Sequence, residues 1–336
     1  MSPLINSISG GGVTNTTNDA AALFYLGFRM NEYSDTIRIL NNVTNIYGMF
    51  MDAHNITNIP GVMIDTSKVT NASSIFVNCY NLTTVPNFNT SNVTNMSNAF
   101  FNCRNITAVP NYNISNVTNM AWMFSGCSNL TNVPEFNTNN ALAMCQLFSY
   151  CSNLTNIPNF NTSKVTDMSY MFYFCYNLTN VPNFDTSRVI SIRGMFWDCY
   201  NLTNIPNFNL CNVNTMYMSF YNCRNLANIP EINVVNCSNM SFTFCNCVNL
   251  VDVSILDMNS TTDIEAMFEN CNSLSNESYA NITNMLPLAT NLTNQYISNI
   301  GLNIDNFTPG QAMILAEKGY LDAQAKFSNN YEITYS

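Results

Sequence analysis

The sequence predicts a repeat solenoid, a right-handed α/β coil of about ten 24-residue rungs, each contributing a short strand and a helical turn. Three columns held in one register carry that prediction. Cysteines stand at 79, 103, 127, 151, 175, 199, 223, 247 and 271, and prolines at 86, 110, 134, 158, 182, 206 and 230. Phenylalanines keep the same step from Phe76 to Phe268. An earlier unit with Phe50, Ala53 and Pro60 is two residues longer, so the array runs from about Val43 to Leu274.

One rung shows how the unit is built. Between Val165 and Val189, Met168, Met171, Phe172 and Cys175 fall at i, i+3, i+4 and i+7, the spacing of one face of a helical turn. Beyond Asn177 the pattern becomes Leu178, Val181 and Phe184 with polar residues between them. That is a short extended segment, limited by Pro182 because proline removes a ladder donor. Asp185-Thr186-Ser187 supplies turn chemistry, and Val189 returns the chain to the core. A lone rung hides too little apolar surface to offset the entropy of ordering its backbone, so the rungs must stack.

The ends depart from the repeat. In residues 1–40, Ser9-Gly10-Gly11-Gly12 reads as a flexible hinge and Ala20 to Phe28 as an apolar stretch. Together they form either a cap for the first rung or a segment that docks the protein to a larger assembly. The solenoid is assigned to 41–274 and a helical C-terminal cap to 275–336. Within that cap one helix is expected from about Asn276 to Leu286, stopped by Pro287. A second begins at Thr308-Pro309, with threonine as cap and proline at the first helical position, and ends at Gly319.

Composition narrows the function. Only 9% of the residues are charged, and asparagine supplies close to one residue in five, so the surface is polar but largely uncharged. The net charge is −10 and the ten basic residues are scattered, whereas nucleic-acid binding needs a clustered basic face. The same acidity disfavours anionic lipid. No run reaches the ~18 apolar residues of a membrane span, so neither nucleic acid nor membrane insertion is expected. No basic region precedes Arg29 and no cleavage site follows Phe28, so no secretory signal is read.

The repeated core M-x-x-M-F-x-x-C-x-N-L-T-x-V-P-x-F-x-T-S-x-V-T-x-M resembles the BspA-like leucine-rich repeats of bacterial surface proteins. The "TSxVTxMxxMFxxC" variant of mycoplasma lipoproteins, gut Firmicutes and their phages is the nearest form. The resemblance covers roughly Val43 to Leu274, and Leu274 to Phe327 is similar to the segment that often follows such repeats. It implies a leucine-rich-repeat-type solenoid and a role as an adhesin or surface structural protein. The sequence departs from the secreted members in lacking a signal peptide and a wall or lipid anchor.

Catalytic and metal chemistry has little to work with. The ladder cysteines read as small buried thiols that pack like apolar residues, since parallel Cβ vectors suit disulfides poorly. Cys145, Cys211, Cys237 and Cys245 lie off the ladder, and Cys245-x-Cys247 comes nearest to a zinc spacing. His54 is the sole histidine, and Asp167, Asp185 and Asp198 occupy unrelated columns. No enzyme, metal or cofactor is expected. The asparagines at 81, 105, 129, 153, 177, 201, 225 and 249 read as stacked amides bonding neighbouring turns, or as glycan acceptors.

Binding would fall to the variable positions flanking the helical turn. These carry Trp122, Tyr150, Tyr170, Tyr173, Phe174, Tyr176, Trp197, Tyr200, Tyr217 and Tyr221. Large aromatics clustered at a surface mark contact sites. They meet a host surface glycan or protein, bury a contact between copies in an oligomer, or pack on one another. The expectation is a non-catalytic attachment or structural protein of a bacteriophage virion, as a tail or fibre component joined to other virion proteins through residues 1–40. The alternatives are a bacterial cell-surface adhesin and a cytoplasmic scaffold.

Overall fold

The computed structural model describes residues 43–59, 66–286, 297 and 299–321. The hinge and docking segment expected at 1–40 lies outside them. The chain forms two compact units, Met1–Val165 and Thr166–Ser336, each a stack of rungs. Single-residue parallel bridges join Asn45, Asn71, Asn95, Asn119 and Ala143 in turn within the first unit. Within the second they join Asp167, Ser191, Thr215, Asn239 and Asp263.

The segment expected to be a helical turn is a ladder of tight turns instead. In the rung that starts at Asp167, Met168, Tyr170, Phe172 and Phe174 donate their N–H groups outward, to Ser191, Arg193, Met195 and Trp197 of the next rung at 2.8–3.1 Å. The alternate donors close turns within the rung, Met171 to Met168, Tyr173 to Tyr170 and Cys175 to Phe172. Tyr170 and Phe174 carry φ of +57° and +60°. A left-handed residue every fourth position breaks an α-helix while returning Met168, Met171, Phe172 and Cys175 to one buried face. The apolar spacing is helical, but the hydrogen bonds run between rungs.

The short strand expected in each rung is also mostly absent among the described residues. Only β1 (Asn228–Ile229) and β2 (Asp252–Val253) pair beyond a single bridge, in parallel, with Asn228 opposite Asp252 and Ile229 opposite Val253. The proline column explains why. Position 254, where the 24-residue step would place the next proline, holds serine, and Ser254 N–H donates to the Ile229 carbonyl at 3.4 Å. Proline has no such donor, so the other rungs stay extended but unpaired there.

The core is columnar. In the first unit the rings of Phe50, Phe76, Phe100, Phe124 and Phe148 stack at 5.3–5.6 Å. In the second, Phe172, Phe196, Phe220, Phe244 and Phe268 stack at 5.4–5.6 Å. Beside them Cys79, Cys103, Cys127, Cys151, Cys199, Cys223, Cys247 and Cys271 each donate to the carbonyl of the preceding rung's phenylalanine, as Cys127 Sγ does to Phe100 at 3.1 Å and Cys223 Sγ to Phe196 at 3.0 Å. The column therefore favours cysteine over alanine: it packs like a small apolar group and also satisfies a buried acceptor. On the outside, Asn129, Asn153, Asn201, Asn225 and Asn249 each donate to the asparagine one rung earlier at 3.3–3.4 Å.

Two α-helices follow the last rung. Helix α1 (Asn276–Met285) is capped by Ser275, and its Ser278 and Asn281 side chains bond the backbone of Val251, just before β2, and of Val253 within it. Helix α2 (Pro309–Glu317) begins with a reciprocal capping box between Thr308 and Gln311. The outward donors of the last rung, Ala266 and Phe268, meet the carbonyls of Asn299 and Ile300 at 2.6 and 2.9 Å. Gly301, at φ +80°, permits that approach, because a β-carbon there would overlap the Glu269 backbone.

Candidate functional site

The structure places the ten sequence-predicted aromatics on the turn ladders and gathers most of them in the second unit. In the first, Trp122 is half-buried with its ring 6.0 Å from Phe101, and Tyr150 is 48% exposed. In the second, all eight are half-buried, so the band is less open than the sequence implies. The rings spend part of their surface on each other. Tyr173 lies edge-on to Phe174 at 4.3 Å and to Tyr170 at 5.7 Å, and tilts against Trp197 at 4.9 Å. Trp197 then meets Tyr221 at 5.5 Å. Phe174 reaches Tyr176, which stacks flat on Tyr200 at 4.9 Å with the Arg224 guanidinium over Tyr200. Arg193 bridges Tyr170 and Tyr217, and Tyr217 reaches Phe242. Phe242 went unnamed in the sequence, though it sits in the Tyr170 column three rungs on.

The backbone beneath the band is unusual. Two positions per rung, two residues before and two after each ladder phenylalanine, carry positive φ throughout both units. Most rungs fill the later position with a residue that tolerates it, as with Asn78, Asn102, Asp198, Asn222, Asn246 and Asn270. Tyr150 and Phe174 hold it in adjacent positions of the sequence repeat, and Trp122, Tyr170 and Phe242 hold the earlier one. A bulky left-handed residue costs roughly 1–2 kcal/mol, so these aromatics sit where the fold would be more stable with glycine or asparagine. Four of the ten candidates, Trp122, Tyr150, Tyr170 and Phe174, are of this kind. Strain of this sort collects at working surfaces.

Gly194 occupies the earlier position at φ +57°, and the Tyr170 ring fills the space its β-carbon would need. The small residue in one rung thus seats the large one in the rung before.

A polar row runs beside Trp197 and Tyr221. Asn222 Nδ2 donates to Asp198 Oδ1, and Arg224 Nε donates to Asn222 Oδ1 at 2.9 Å. Burial pushes the Asp198 carboxyl above the usual carboxylate range, against hydrogen bonds from Asn222 and Tyr200 that lower it. Burial also raises the Tyr200 and Tyr221 hydroxyls, so both stay protonated at neutral pH. The row offers an amide and a guanidinium, with the buried Asp198 carboxylate holding Asn222 in place.

Elsewhere the reactive side chains serve structure. His54 Nδ1 lies 2.9 Å from the Asn78 carbonyl, and its ring stacks on Tyr80. No two of the thirteen cysteines are bridged, and burial raises the ladder thiols Cys103, Cys127, Cys199, Cys223, Cys247 and Cys271. Cys245 is buried against Glu269 and is pushed up to about 12. Among the described residues no group of three or more His, Cys, Asp or Glu is placed to hold a metal ion. No helix among them is long and apolar enough to cross a membrane.

The sequence matches the family described as "Mycoplasma protein of unknown function, DUF285" over residues 28–109, 94–204, 129–228 and 175–284. A comparison with curated proteins finds no match. Among solved structures the chain is similar to a leucine-rich repeat protein of T. pallidum, at 19% identity over 60% of this chain and 78% of that one, with a TM-score of 0.36. It is similar to one from Eubacterium ventriosum at 18% identity, covering 70% and 76%, with a TM-score of 0.39. A leucine-rich cell surface protein of Faecalibacterium prausnitzii aligns at 17% identity over 75% and 90%, with a TM-score of 0.31.

Proposed function

The chain belongs to that mycoplasma family, and from this premise we propose that it is a non-catalytic attachment protein contacting a host surface glycan or protein through the aromatic network of its second unit. The observation that carries the reading is the continuous, half-buried set of rings from Tyr170 to Tyr221, two of which, Tyr170 and Phe174, sit on left-handed backbone that favours smaller residues. Tyrosine and tryptophan are the side chains that concentrate binding energy at contact surfaces. Replacing Tyr173, Phe174 and Trp197 together by serine is expected to abolish attachment of the purified protein to host cells. Attachment that survives the triple replacement removes the reading.

We place the protein on a bacteriophage particle, as a tail or fibre component held to other virion proteins through residues 1–40, with the bacterial cell surface as the alternative. Immunogold labelling of the native source with antibody to the repeats separates the two. Gold on virus particles supports the first placement, and gold on cell walls without particles overturns it.

A further inference from the structure

We propose that Trp197 and Tyr221, with Asp198, Asn222 and Arg224 beside them, form a binding site for a neutral oligosaccharide. The inference rests on the attachment reading above and names the class of ligand. Ring geometry singles out this pair. Tyr200 has its face spent, because it lies nearly parallel to Tyr176 at 19° and the Arg224 guanidinium sits over its ring. The Trp197 indole is tilted 59° from Tyr173 and 63° from Tyr221, so neither neighbour lies flat against it. With no ring stacked flat on it, the half-buried indole keeps a parallel stacking place that the C–H face of a sugar ring fits. Ordering such a rigid side chain costs little on binding.

The polar row supplies the other half of the recognition. A sugar hydroxyl is donor and acceptor at once, and adjacent hydroxyls are met by an amide and a guanidinium held in sequence. Asn222 and Arg224 supply the amide and the guanidinium, and the buried Asp198 carboxylate holds them from behind through the bond it accepts from Asn222. Ties of this kind hold the row in place before the ligand arrives, which reduces the ordering cost of association. The charges of Asp198 and Arg224 offset each other, the one further cation of the band, Arg193, is held over Tyr170 and Tyr217, and the whole chain carries −10. A polyanionic glycan would meet repulsion across the surface without a basic cluster to hold it, so the charge pattern selects an uncharged one.

The test uses the full chain with Trp122 replaced by phenylalanine, which leaves Trp197 as the sole tryptophan reporter. Maltohexaose, cellohexaose and the hexamer of N-acetylglucosamine are titrated while indole fluorescence is followed, with oligogalacturonate as the anionic comparison. At least one neutral hexamer is expected to give a saturable change, weakened about tenfold or more by Tyr221→Ser and by Asn222→Ala. Tyr80→Ser, in the other unit, is expected to leave it unchanged. Should Tyr221→Ser fail to fold, Tyr221→Leu keeps the apolar bulk without the aromatic face, and the same loss is expected.

No saturable change with any neutral hexamer, or tighter binding of oligogalacturonate, overturns the proposal. If the triple serine variant still loses cell attachment in that case, the attachment reading stands and the ligand is of another class. If attachment persists in that variant, both fall.

Discussion

Replacing Gly194 by alanine probes the band through its support. At φ +57° a side chain costs roughly 1–2 kcal/mol on backbone grounds alone. The new β-carbon would also lie 2.5 Å from Cδ1 of Tyr170, closer than such contacts occur, so the ring must leave its seat. Leaving it forfeits the edge contact with Tyr173, about 0.5–1.5 kcal/mol, and the Arg193 contact, about 0.5–1 kcal/mol at an exposed site. The sum is about 2–4.5 kcal/mol. In a Tyr170→Ala background the ring is gone, and Gly194→Ala should cost only the backbone part, about 1–2 kcal/mol. Urea unfolding of the four proteins gives the coupling, expected at about 1–2 kcal/mol. If Gly194→Ala costs the same with and without the Tyr170 ring, the ring is not seated on the glycine and the packing argument fails.

The thiol ladder gives two expectations. Native protein treated with iodoacetamide at mildly alkaline pH should be alkylated first at half-exposed Cys145 and Cys211, with the ladder thiols protected until unfolding, as peptide mass mapping would show. Folded thiols raised above their ordinary value bind protons that the unfolded chain releases. Stability should therefore hold up to about pH 8.5, the free thiol value, and fall as pH rises toward 12, the value reached by Cys237, Cys245 and Cys271. Denaturant midpoints measured from pH 7 to 11 check this, and a flat profile contradicts it. Asn201→Asp sets a carboxylate oxygen against Asn177 Oδ1, where an amide donor stood at 3.3 Å. It should cost about 1–2 kcal/mol at pH 7 and recover below about pH 4, where the acid can donate again. Ser254→Pro should remove both the N–H and the hydroxyl bond from Ser254 to the Ile229 carbonyl and cost about 1–2 kcal/mol, with faster hydrogen exchange confined to β1 and β2.

The stacking was legible because burial writes it into the sequence at every rung. Phe172, Phe196 and Phe220 must recur at the rung period to stack, and each ladder cysteine must follow three residues later to reach the carbonyl one rung back. The same period hid the local backbone. Met168, Met171, Phe172 and Cys175 face one way whether the chain is an α-helix or a run of turns, so apolar spacing alone cannot separate them. The strand was lost for a related reason. Leu178, Val181 and Phe184 show the burial of an extended segment, but its pairing depends on whether the next residue in the column is Pro182 or Ser254.

The sequence did hold a sign of the turns, in a column easily passed over because it is polar. The residue before each ladder cysteine is Asn78, Asn102, Gly126, Asp198, Asn222, Asn246 or Asn270 in seven of the nine rungs that have one. Those residue types recur at one position because they accept a left-handed backbone, and no α-helix asks for that once per rung. Against that column Tyr150 and Phe174 are the exceptions, and Phe174 joins the connected band of the second unit. Had those two been read only as variable surface residues, any aromatic on the ladder would have had equal claim as a contact residue. The conformational penalty makes them unequal. An aromatic held at +60° costs more than an asparagine there would, and that cost at Phe174, beside the rings gathered around it, is what supports the contact surface proposed above.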